Sequence, residues 1–256
     1  MRPKTLLLLA LLAASALPAR TVAAADLALV LLTDVSKSMD DGEYGLVKAG
    51  YQAAFSDPEV IARILGNTGG VAIAYVEFSG ENEFKVVKGW DVLRDAASTR
   101  AFGEAVAAAP RSAAGETALA ASLGKAVRLL EQGGFGDARL VIDVASDHPS
   151  DGGRSAPVRD AAVAAGITIN ALPLIDHNPI GTFDGHLTYS STQWGWGGMA
   201  EFYRRDIIGG PGSFMVEVHD FSDFGEALKR KLLLELVTPD DGGTVPVRTQ
   251  TAAATD

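Results

Sequence analysis

The chain has 256 residues, 22 of them basic and 32 acidic, with a formal net charge of −10 and no cysteine. That acidic balance argues against nucleic acid and anionic membrane as partners, because both would be repelled. The missing thiols exclude a disulfide framework, a lipid-anchored N-terminal cysteine and thiolate metal sites.

Met1-Arg2-Pro3-Lys4 is a basic start, residues 5–14 are a short apolar stretch, and Ala23-Ala24-Ala25 places small residues before Asp26. This order predicts a secretory signal peptide over residues 1–25 and hence a periplasmic or secreted product. Its apolar part is too short for an anchor. No later apolar run approaches ~18 residues, so no membrane span is expected. Arg2, Lys4 and Arg20 would leave with the signal, and the mature chain would be more acidic still.

Residues 27–32 are continuously apolar and predict a strand buried on both faces. After Thr33 come Asp34-Val35-Ser36-Lys37-Ser38, a carboxylate and two hydroxyls at alternate positions. These hard oxygens suit Mg²⁺, Mn²⁺ or Ca²⁺ and suit softer metals poorly. A helix is expected over 43–55 and a second buried strand over 71–78. A turn at Gly80-Glu81-Asn82-Glu83 would then lead into a short antiparallel edge strand over 84–87. Helical periodicity covers 99–109, with Ser98 as its N-cap, and 117–131, closed by Gly133-Gly134. Strands over 140–144 and 167–174 flank a helix over 156–165. A last strand over 214–218 and a closing helix over 221–236 follow. Residues 238–256 have no periodicity and read as a disordered tail. The domain is therefore expected to occupy 26–237. It should be doubly wound α/β, with a mostly parallel sheet and one short antiparallel edge strand.

Ligands of such sheets bind beyond the carboxyl ends of the strands, where strand order reverses. Asp34 to Ser38 leave the first strand at that end, and Asp147 leaves the strand over 140–144. Thr117 opens the helix running back toward it. If the two strands are neighbours, one spot receives two carboxylates and three hydroxyls.

Those five residues resemble the metal-ion-dependent adhesion site of von Willebrand factor A domains. The likeness extends over about 27–237. It includes the stretch from Pro157 to Asn170, Val141-Ile142-Asp143-Val144, the run from Tyr203 to Phe214, and Lys229-Arg230-Lys231-Leu232. These are similar to a branch of exported bacterial A-domain proteins of unknown function. The resemblance implies the family's Rossmann-like fold, with hydroxyl ligands from Ser36, Ser38 and Thr117. Asp34 and Asp147 would then bind the ion directly or through water. It also implies a protein partner that supplies an Asp or Glu carboxylate to the ion. Two carboxylates neutralise one divalent cation without surplus, so an incoming carboxylate is not repelled. The chain departs from the family in one respect: Asp147 is followed by His148-Pro149, where A-domains usually carry glycine.

Asp176 to Gly198 reads as a long loop rimming the same face. It contains His177, Asp184, His186, Tyr189, Trp194 and Trp196. The two indoles are the expected anchors for a partner. Ser122-Leu123-Gly124-Lys125 and Gly209-Gly210-Pro211-Gly212 read as a helix face and a tight turn rather than catalytic motifs. No nucleophile–base pair stands out, so a non-enzymatic binding module is the primary expectation. A metal-dependent hydrolase would need a base near the ion, for which His148 and His177 are the candidates. A scaffold with a vestigial site, binding through the tryptophan loop alone, is the third reading.

Overall fold

The computed structural model describes residues 25–148, 153–175, 179–183, 186–189 and 198–237. The expected signal segment, Asp176, His177, Asp184, Trp194, Trp196 and the tail lie outside these residues.

Five strands form the main sheet: β1 (Leu27–Asp34), β2 (Val71–Phe78), β3 (Phe84–Leu93), β4 (Arg139–Ser146) and β5 (Ile167–Pro173), in the order β3-β2-β1-β4-β5. β1 runs parallel to β2 and β4, β4 runs parallel to β5, and β3 alone is antiparallel, paired with β2. Alternate residues of β1 enter different cores. Leu27, Leu29 and Leu31 pack on one side of the sheet, and Ala28, Val30 and Leu32 on the other. A strand buried on both faces must be apolar throughout, which is why its sequence shows no alternation.

The first face is covered by α1 (Asp41–Ser56), α2 (Pro58–Gly66), α3 (Ala96–Ala108) and α7 (Phe224–Glu235). The second is covered by α4 (Leu119–Gly133), α5 (Ser155–Ala164), α6 (Gly198–Phe202) and a π-helical turn at Tyr203–Ile207. Helices on both faces of a sheet whose order reverses between β1 and β4 make the fold doubly wound.

Several elements differ from expectation. The edge strand is not short: β3 continues to Leu93 because its register with β2 shifts between Ile73 and Tyr75, and pairing resumes as far as Val71↔Leu93. α3 starts at Ala96, capped by Asp95, and Ser98 closes the capping box from the third position. α2 has no counterpart in the sequence reading. Asp57 ends α1 and caps α2 with Pro58 next to it, so two helices meet without a loop. Residues 214–218 are joined to β5 only by isolated bridges, Ala171↔Met215 and Leu174↔Val218. The stretch expected as one long loop carries an antiparallel hairpin, β6 (Pro179–Phe183) with β7 (His186–Tyr189). Gly133 ends α4 as expected, with Gly134 at φ 70°.

Candidate metal centre

β1 and β4 are direct neighbours, with Thr33 level with Ala145, so the loops leaving their carboxyl ends start side by side. The Val35 N–H bonds to the Phe78 carbonyl at 2.9 Å, which prolongs the sheet by one residue. The chain then turns. The Ser36 N–H donates to Asp34 Oδ1 at 2.9 Å, and the Met39 N–H to the Ser36 carbonyl at 3.1 Å. Asp40 then caps α1 through a capping box with Glu43. The Ser36, Met39 and capping-box bonds are local, so the sequence itself favours a turn here, which segments further along the chain also hold.

Thr117 arrives from the segment between α3 and α4. The helix begins at Leu119 rather than at Thr117, and the Ala118 N–H is taken by the Ser79 carbonyl at 2.7 Å. That leaves Thr117 in the irregular segment ahead of the helix, and its Oγ1 donates to Ser36 Oγ at 2.9 Å. Ser36 Oγ lies 3.0 Å from Ser38 Oγ. Three hydroxyl oxygens from two distant segments therefore stand in one hydrogen-bonded row. Gly115 ties this arm to the turn: its carbonyl accepts from the Lys37 N–H at 2.9 Å, and its own N–H donates to Ser79 Oγ at 3.3 Å.

Asp34 is fully buried. Besides the Ser36 N–H it accepts a bond from Ser146 Oγ at 2.6 Å, the residue before Asp147. Burial, together with the negative charge of Asp147, pushes the Asp34 carboxyl up to about 7. The hydrogen bonds from Ser146 and Ser36 oppose this shift without overcoming it. After Asp147 the His148 N–H turns back to Ser146 Oγ at 3.1 Å. Ser146 thus joins Asp34 to the Asp147 loop, and its carbonyl accepts from the Tyr203 hydroxyl at 2.9 Å.

The five sequence-picked residues Asp34, Ser36, Ser38, Thr117 and Asp147 come from the loops that this topology gathers at the switch point. Two like charges acting on one another across a buried spot, beside three hydroxyl oxygens, fit a hard divalent cation in donor chemistry. Among the described residues no three His, Cys, Asp or Glu side chains converge.

Some expectations change. Ser122 is not an exposed partner of Lys125 but is fully buried, with no hydrogen-bond partner for its Oγ. Asp143, in the regular strand β4, points away from the site as expected and pairs with Lys231. Ser146 and Arg111 were not assigned roles from the sequence. A serine directly before the last aspartate was a visible signal for the first. The second is a lone arginine in a stretch with no periodicity, and only its contacts disclose it.

The fold is that of von Willebrand factor A domains. Similar solved structures include proximal thread matrix protein 1 from the mussel byssus, at TM-score 0.55 and 14% identity, covering 81% of this chain and 46% of that one. Another structure of the mussel protein is described with a zinc-occupied MIDAS motif (TM-score 0.54, 16% identity, 84% and 47% coverage). A von Willebrand factor type A protein from Catenulispora acidiphila matches at TM-score 0.54 and 16% identity, over 82% of this chain and 43% of that one. The SpRpn10 VWA domain matches at 0.51 and 14%, over 77% and 93%. At these identities the likeness is one of fold, and the match spans less than half of the mussel and Catenulispora chains. By sequence, residues 24–240 match the family described as a protein of unknown function, DUF1194, and the chain belongs to that family. No curated protein matches it.

Proposed function

We propose that this chain is a non-enzymatic binding module, exported by its N-terminal segment, that recognises a protein partner through a divalent metal ion. Asp34, Ser36, Ser38, Thr117 and Asp147 would hold the ion, Mg²⁺ in the first instance, with Mn²⁺ or Ca²⁺ as substitutes. When bound, the ion supplies an electrophilic position for a carboxylate oxygen of the partner's Asp or Glu. The observation that carries this reading is the buried Asp34 carboxyl, pushed up to about 7 by burial and by Asp147, beside the Thr117–Ser36–Ser38 hydroxyl row. A cation at this spot would relieve the repulsion, and the hydroxyls would add oxygen donors without adding charge. Partner choice is assigned to the 176–198 segment, with Trp194 and Trp196 as anchors, because the ion offers the same contact to any carboxylate.

The test is calorimetry with Mg²⁺ and Mn²⁺ on the wild type and on Asp34→Ala, followed by capture from the native envelope with Mg²⁺ or with EDTA. Saturable binding by the wild type, lost in a folded Asp34→Ala variant, is the expected result. Equal affinity in both proteins would sink the site assignment. Capture that survives EDTA would reject recognition through the metal. Replacing Trp194 and Trp196 together by Ala should weaken capture and leave metal affinity unchanged.

A further inference from the structure

Resting on the metal reading above, we propose that Arg111 is the positioning residue of the metal loop. Its guanidinium clamps the turn between β1 and α1 so that the side-chain oxygens of Ser36 and Ser38 face the ion.

Arg111 Nη2 donates to the carbonyls of Ser36 at 2.7 Å, Met39 at 2.7 Å and Val35 at 3.0 Å, and its Nε also reaches Val35 at 3.2 Å. All three carbonyls belong to the one turn that carries the candidate ligands. Nη1 reaches the exposed Asp41 Oδ1 at 3.3 Å, so the guanidinium is directed mainly at backbone.

The peptide unit between Ser36 and Lys37 shows what the clamp does. Its carbonyl is held by Arg111, and its N–H is held by the Gly115 carbonyl at 2.9 Å. Both holders lie on the segment that delivers Thr117. Gripping one peptide plane at both ends restrains ψ of Ser36 and with it the direction of the Cα–Cβ bond that carries Oγ, and the bonds to Thr117 and Ser38 then hold the hydroxyl. The same segment places Thr117 Oγ1 2.9 Å from that oxygen. The two halves of the hydroxyl row are thus registered to each other through Arg111 and Gly115.

The clamp is itself fixed from behind. The Arg111 guanidinium lies 5.4 Å over the Tyr44 ring. The Tyr44 hydroxyl donates to Glu77 Oε1 at 2.9 Å, and the Ser112 N–H to Glu77 Oε2 at 2.9 Å. Glu77 is fully buried and also receives the Lys48 ammonium at 3.1 Å. A planar fork with fixed donors can serve three carbonyls at once, whereas a lysine ammonium at the same place cannot reproduce that geometry.

The experiment compares the wild type, Arg111→Ala and Arg111→Lys, with Arg159→Met as a control. Arg159 donates to the Ile208 carbonyl at 2.7 Å on another part of the molecule. Mn²⁺ affinity is read from the resonance of the free ion, and the fold from circular dichroism and melting without metal. Both Arg111 variants should keep the metal-free spectrum and lose at least roughly tenfold in Mn²⁺ affinity, as expected when an outer-shell partner is removed. Ethylguanidinium should restore part of that affinity to Arg111→Ala. Arg159→Met should melt lower without any change in affinity. If Arg111→Ala does not fold, Arg111→Lys, which keeps charge and stem, carries the comparison. Arg111 variants that melt lower but bind Mn²⁺ like the wild type would overturn the positioning role while leaving the metal reading intact. No Mn²⁺ binding by the wild type would overturn both.

Discussion

Asp57 shows how much one side chain can settle. It closes α1 through its backbone N–H, and its carboxylate accepts the N–H groups of Glu59 at 2.8 Å and Val60 at 3.4 Å to open α2. Lys229 of α7 reaches the same carboxylate at 2.9 Å. Slight burial pushes its pKa up. The bond from Lys229 and the two backbone N–H groups outweigh that and hold it below the ordinary 3.8. A depressed folded-state pKa contributes stability above the unfolded value, and that contribution is lost as pH falls through the folded value. Asp57→Ala should therefore cost about 1 kcal/mol at neutral pH, the usual size for a lost N-cap. In urea unfolding, the gap between variant and wild type should narrow as pH drops below 3.8. A gap that is constant down to about pH 3 would show that the carboxylate charge is not what matters.

At the scale of elements, α7 is joined to the sheet by a buried polar knot. Lys231, fully buried, donates to Asp143 of β4 and to Glu235, at 2.9 Å for the latter. Asn170 of β5 donates to Glu235 Oε1 at 2.7 Å. Lys231→Met would leave two buried carboxylates without their cation, one of them with an oxygen that already lacks a partner. A cost of about 3–5 kcal/mol is expected in chemical denaturation. A loss below roughly 1 kcal/mol would mean that water reaches the knot. The other anchor of α7 is steric. Its Gly225 packs against Gly50 of α1, and a Cβ on Gly50 would lie 2.6 Å from the Phe224 ring and 3.0 Å from the Gly225 nitrogen. Backbone cannot yield as a flexible side chain can, so Gly50→Ala should cost roughly 1–3 kcal/mol despite the better helix propensity of alanine. Thermal melting that matched the wild type would show that α7 can shift to admit a methyl group.

At the scale of the whole molecule, metal and stability should be linked. An ion that binds only the folded chain stabilises it by mass action, about 2.7 kcal/mol at a hundredfold excess over Kd. For a domain of this size that corresponds to a rise of roughly 5–10 °C in Tm. The gain should vanish with EDTA and be absent from Asp34→Ala. A wild type that melts at the same temperature with and without saturating Mg²⁺ would contradict the metal centre.

The buried strands and the Asp34–Ser38 turn were legible in the residues because their causes are local. A strand covered on both faces must be apolar throughout, and the turn closes on its own carboxylate and N–H groups. The glycine end of α4 was legible for the same reason. α2 was missed because a helix of nine residues joined directly to its predecessor shows no break in pattern. The length of β3 depended on a register shift against β2, and residues 214–218 on what β5 leaves open for pairing. Arg111, Ser146 and Gly115 acquire their roles only when segments about 75 to 112 positions apart are brought together. The amino-acid sequence by itself determined the alternation of elements and the oxygen-bearing loops. Which loops meet, and which side chains hold them in register, was decided by the order β3-β2-β1-β4-β5, because contacts between distant segments exist only once the sheet has paired.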